Sequence, residues 1–112
     1  MNALRLPEKD PGETLVLCWD FTEDLEEQDS PELTITGIPD IAISVDQSLR
    51  RGTDSNVGDM LVGSPQVVGN QVLQAVTLGV DGVDYKIRCA VSINSSPTVV
   101  LYKTSLLPVR VQ

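Results

Sequence analysis

The sequence predicts an all-β domain, a sandwich or barrel, on three observations. Stretches rich in β-branched residues are punctuated by Gly or Pro about every ten residues, short strand-like runs alternate in polarity, and no long stretch carries a helical period. With 112 residues and a mass of 12.1 kDa, the chain is sized for one core rather than two. About seven antiparallel strands are expected, at residues 14–20, 32–37, 41–45, 60–68, 71–78, 85–94 and 98–109.

Residues 1–12 form a short arm ahead of the domain, which is expected to span 13–112. Leu4, Leu6 and Pro7 are apolar there without a periodic pattern. Two readings of the arm stand: Leu4 and Leu6 anchor it on a neighbouring protein, or they close one end of the domain's own core.

The first long strand starts after a Pro11-Gly12 turn. Leu15, Leu17, Trp19 and Phe21 share one face, including the only Trp and only Phe, while Val16, Cys18 and Asp20 share the other. Residues 21–28 are rich in Glu and suit a short helical turn. Between the strands at 60–68 and 71–78, Gly69-Asn70 is expected to form a two-residue hairpin with a primed turn. Asp81-Gly82 offers a similar turn before Tyr85, and Asn94-Ser95-Ser96-Pro97 closes the last hairpin. Residues 48–59 make up the longest polar stretch and the best loop candidate.

Alternation places Cys18 outward, and Cys89 inward with Tyr85, Ile87, Val91 and Ile93. Both are therefore expected to be free thiols. The first residues lack the apolar segment and cleavage site of a secretory signal, and no run approaches the roughly 18 apolar residues of a membrane helix. A soluble protein made in a cytoplasm is expected, which makes the glycosylation-like Asn94-Ser95-Ser96 accidental.

The net charge of −8 is unevenly spread: residues 1–56 carry −9 and residues 57–112 carry +1. Asp20, Glu23, Asp24, Glu26, Glu27, Asp29 and Glu32 crowd into one turn. Such a surface repels phosphate backbones, which argues against nucleic-acid partners. It is either a solvated turn or a footprint for a basic patch on a partner protein. Arg50 and Arg51, the only adjacent basic pair, are loop residues that either face solvent or meet a partner's carboxylates.

Histidine is absent, which removes the commonest general base, the usual activator of Ser or Cys, and the commonest metal ligand. No zinc-type Cys spacing, phosphate loop or dinucleotide fingerprint is present. Paired carboxylates such as Glu23 with Glu26, or Asp20 with Asp24, lie in a crowded acidic turn rather than a dry pocket and do not form a glycosidase pair. The stretch from Asp54 departs from a calcium loop at the fifth, sixth and twelfth positions, where it has Gly58, Asp59 and Pro65. The expectation is a non-enzyme with no cofactor and no metal.

The order of features is distinctive: Lys9-Asp10-Pro11, a strand ending Trp19-Asp20-Phe21, an acidic turn with Leu25, Gly82-Val83-Asp84-Tyr85-Lys86-Ile87, and a final Leu107-Pro108-Val109-Arg110-Val111. It resembles the small immunoglobulin-like virion proteins of tailed bacteriophages, the fibre-tail adaptor or phage structural Ig-like group. That group opens with Lys-Asp-Pro and a strand ending in Asp-Trp, and carries a later Gly-x-x-Tyr-x-Val/Ile strand. Here Cys18 precedes Trp19 and Asp20 follows it, Leu25 replaces a second aromatic, and residues 29–68 match poorly.

The resemblance implies a single Ig-like sandwich in a virion, joining tail or neck to tail fibres in several symmetry-related copies, with other virion proteins as partners. Leu4, Leu6, Asp20, Glu23, Asp24, Glu26, Glu27, Arg50 and Arg51 are then the candidate partner-binding residues. Two alternatives stand beside it. A capsid decoration protein would sit on the head, and a carbohydrate-binding or adhesion sandwich would need surface aromatics from a chain that has only one Trp, two Tyr and one Phe.

Overall fold

The structure, a computed structural model, describes residues 4–26, 34–46, 57–94 and 99–111. Among them are strands β1 (Leu4–Arg5), β2 (Leu15–Asp20), β3 (Ile35–Val45), β4 (Leu61–Val68), β5 (Gln71–Val76), β6 (Asp84–Ile93) and β7 (Val100–Pro108). One helical turn, α1 (Thr22–Glu26), follows β2, and a 3-10 turn at Val57–Met60 leads into β4. The strands form two sheets, ordered β1-β7-β6-β3 and β2-β5-β4. The second sheet takes the places of strands B, E and D of an immunoglobulin-type sandwich, and β7-β6-β3 those of G, F and C.

Alternation is realised residue by residue on the two strands that face each other. On β2, Leu17 and Trp19 are buried while Val16 and Cys18 are exposed; on β6, Tyr85, Ile87, Cys89, Val91 and Ile93 are all buried. Phe21 and Leu25 are also buried, so the acidic turn presses an apolar underside onto the core while Asp20 and Glu23 stay exposed. The Trp19 indole Nε1 crosses the sandwich and donates to Ser105 Oγ at 3.0 Å, which satisfies the one polar atom that burying a Trp brings with it.

The β4–β5 hairpin closes through Gly69-Asn70, with Val68 opposite Gln71. Gly69 takes φ 61° and Asn70 does not take positive φ, the sign pattern of a II′ turn.

Two expectations are corrected. The strands expected at 32–37 and 41–45 are one strand, β3. Gly37, at φ 71°, and buried Pro39 lie in a register shift between Thr36 and Asp40, and the ladder with β6 resumes beyond it. The expected strands pair antiparallel, and the arm adds one more: β1 runs parallel to β7 with Leu4 opposite Ser105. The polar stretch at 48–59 is not all loop, since its end forms the 3-10 turn; residues 47–56 lie outside the described residues. The expected turn at Asn94 to Pro97 also runs outside them, beyond Asn94 itself.

Both cysteines are free: Cys18 is exposed on β2 and Cys89 is buried on β6. Burial pushes the Cys89 thiol up to about 12, and the Asp40 carboxylate adds to the rise. Because the folded thiol titrates above the unfolded one, its contribution is intact below pH 9 and is lost as pH climbs from there towards 12. Chemical denaturation across that range is expected to show stability falling with pH in the native chain, and a flatter profile in Cys89→Ala.

Candidate interaction surfaces

The acidic turn is built by its own side chains. Asp20 Oδ1 accepts from the Thr22 amide at 2.9 Å and the Thr22 hydroxyl at 2.6 Å, which caps the start of α1. These bonds, the hydroxyl's first and the amide's second, hold the Asp20 carboxyl below the usual carboxylate range. Asp24 pairs with Lys103 of β7 at 3.2 Å, and the same ammonium lies 5.7 Å from the centroid of the buried Phe21 ring. Glu23 is exposed. Thus Asp20, Glu23 and Asp24 are brought together, with Asp24 already neutralised inside the domain. Glu26 belongs to α1; Glu27, Arg50 and Arg51 lie outside the described residues.

The arm is stitched to the sandwich. β1 lies beside β7, the Leu6 amide donates to Leu106 O at 2.8 Å, and half-buried Leu6 packs against the core. Lys9 is fully buried. Its Nζ donates to Leu78 O at 2.6 Å and Asp10 O at 2.8 Å, and its main chain bonds Pro108 and Arg110. Burial lowers the Lys9 pKa, and the Glu13 and Asp10 carboxylates pull it partly back. Leu78 sits at φ 57°, the one described non-glycine residue with positive φ, and that backbone offers its carbonyl to Lys9.

Beside the arm, Asp84 is 3% exposed in its side chain and accepts from Arg110 Nη2 at 2.6 Å, with Arg5 of β1 at 3.9 Å from its other oxygen. This cluster ties β1, the start of β6 and the C-terminal segment into one clasp.

Both outer faces of the sandwich expose apolar side chains. On the β3-β6-β7 sheet, exposed Ile38, Val100 and Tyr102 line a shallow groove of about 410 Å³ together with the polar Asp40, Arg88 and Ser92. The Arg88 guanidinium stacks on the Tyr102 ring there, 3.8 Å from its centroid. On the opposite sheet, Val16, Val62, Leu73 and Ala75 line a second depression of about 260 Å³.

Sequence reasoning placed Tyr85 in the core but missed its hydroxyl, which accepts from the Val80 amide at 2.8 Å across the turn through Gly82. Such a tyrosine corner belongs to the immunoglobulin-type sandwich, and the Asp81-Gly82 turn followed by Asp84-Tyr85 was its signal. The burial of Lys9 left no signal. Among the described residues, no three His, Cys, Asp or Glu side chains gather as a metal site, and no helix is long and apolar enough to cross a membrane.

The fold and surfaces define the class, a β-sandwich with immunoglobulin-type strand order and exposed apolar side chains on both outer faces. No protein-family model, curated protein or solved structure matches the chain.

Proposed function

We propose that this chain is a non-enzymatic structural protein of a bacteriophage virion, an adaptor that joins tail or neck to tail fibres in several symmetry-related copies. The resemblance carried by Lys9-Asp10-Pro11, Trp19-Asp20-Phe21 and the Gly82 to Ile87 segment supports the virion setting.

The observation that carries the bridging role is the pair of apolar outer faces. Ile38 is 81% exposed on one sheet and Val16 is 64% exposed on the other, although the core between them is complete. Exposed apolar side chains grouped on a face favour contact with a partner. A small domain that carries them on opposite sides is suited to being gripped by two neighbours at once.

The test is fractionation of purified particles of the encoding phage, followed by mass spectrometry. The chain is expected with the tails, in several copies per particle. Co-fractionation with heads would make it a decoration protein instead, and absence from particles would overturn the virion role altogether.

A further inference from the structure

The two sheets present four lateral edges, and natural proteins blunt such edges against unwanted pairing with bulges, prolines, short strands or covering segments. Three edges here are blunted. β3 carries Gly37, Pro39 and a register shift; β4 carries Gly63, Pro65 and a register shift. β7 is covered by β1, only two residues long, and by the bridge from Lys9 to Val109.

Among the described residues, β2 has none of these devices. Its six residues, Leu-Val-Leu-Cys-Trp-Asp, contain no Gly, Pro or Lys, and they pair with β5 in unbroken register from Leu15 opposite Val76 to Asp20 opposite Gln71.

Which groups on β2 are available follows from the hairpin. Gln71 closes the two-residue turn with Val68, so its main-chain groups point to β4 and those of Val72 point to β2. The bond from the Phe21 amide to Asn70 O agrees with that phase. Leu15, Leu17 and Trp19 therefore bond β5, and the main-chain groups of Val16 and Cys18 point away from the sheet, with no partner among the described residues.

Charge selects the occupant. Carboxylates stand at both ends of this edge, Asp10 and Glu13 before it and Asp20 and Glu23 after it. A second copy pairing antiparallel through β2 would set the Glu13 end of one chain against the Asp20 end of the other, like charge against like. A segment with cations at both ends meets the opposite sign at each.

We propose that β2 is an acceptor edge, to which an extended segment of another protein adds as a fourth strand of the β2-β5-β4 sheet. The segment carries Lys or Arg at both ends and apolar residues at alternate positions between them. Main-chain bonds to Val16 and Cys18 supply the affinity, and the apolar side chains extend the face formed by Val16, Leu73 and Ala75. The inference rests on the bridging reading for its biological setting.

The test uses the full chain and a capped peptide of alternating Val and Thr with two Lys at each end. At saturating peptide, amide exchange at Val16 and Cys18 is expected to slow by at least about tenfold, with no protection from the same peptide ending in Glu. Val16→Pro removes an amide that the ladder to β5 does not use, and should abolish the protection at Cys18. Should proline disturb the strand, the double substitution Val16→Lys, Cys18→Lys keeps the backbone intact and repels the basic ends, so Cys18-position protection should again vanish. No protection at the solubility limit of the peptide, protection at β3 or β4 instead, or protection unchanged in the double variant would overturn the proposal. Such a failure with the chain still present in purified particles removes the acceptor edge and leaves the bridging role standing.

Discussion

Trp19→Ala will lower the stability of the folded chain by about 3–5 kcal/mol in equilibrium denaturation, the range for truncating a large buried aromatic. The indole is 3% exposed, lies between the sheets, and uses its one polar atom on Ser105. Truncation opens a cavity in the shared core and leaves the buried Ser105 hydroxyl without its donor. A domain of ordinary stability, about 5–15 kcal/mol, loses much of its margin to that one change. Trp19→Phe keeps most of the apolar volume, forfeits the hydrogen bond, and should fall between the native chain and the alanine variant. A measured loss under about 1 kcal/mol for Trp19→Ala would place the indole outside a packed core.

Arg110→Met will cost about 3–5 kcal/mol at neutral pH, because it strands the Asp84 carboxylate in the clasp. Asp84 is almost fully buried, and its remaining cation, Arg5, is 3.9 Å away on a side chain that is 59% exposed, too far and too solvated to stand in. Arg110 also donates to Val83 O at 3.3 Å and Val109 O at 2.7 Å, so two carbonyls lose a partner in the same step. The diagnostic is the double variant. Adding Asp84→Asn to Arg110→Met removes the orphaned charge and should recover part of the loss. A double-mutant cycle with additive effects would show that the two side chains do not act as a pair.

How much of this was legible in the sequence varies with the kind of interaction. β2 and β6 could be read residue by residue, because one side of each is packed and period-two alternation records that directly. Gly69-Asn70 was legible because a two-residue turn has a narrow chemical vocabulary. Gly37-Ile38-Pro39 misled in the opposite way. Those breakers usually end strands, but here the bulge absorbs them and the ladder with β6 continues from Asp40.

The arm resisted for a different reason. A two-residue parallel strand has no periodicity to detect, and a lysine is almost never fully buried unless it is paired. The partner of Lys9 is the carbonyl of Leu78, 69 residues further along, and nothing local marks it. Of the candidate surface, the acidic turn was legible as a run of charge; the neutralisation of Asp24 by Lys103 was not, because it depends on β7 passing beneath α1.

Of the apolar outer faces, Val16 was legible as lying opposite the core row, but the strands that carry Val62, Val100 and Tyr102 have no alternation clean enough to assign a face. A strand such as β4 exposes Val62, Val67 and Val68 at a sheet edge, and only the tertiary fold distinguishes that from burial.

The most direct test of the central claim, that this sandwich is a bridging module of a virion, is a cryo-electron microscopy map of the particle at a resolution that traces strands. The account predicts the two-sheet domain at the junction of tail or neck and fibre, in symmetry-related copies, with a different neighbour against each outer face. A particle whose tail and neck density is fully accounted for without this chain would contradict it.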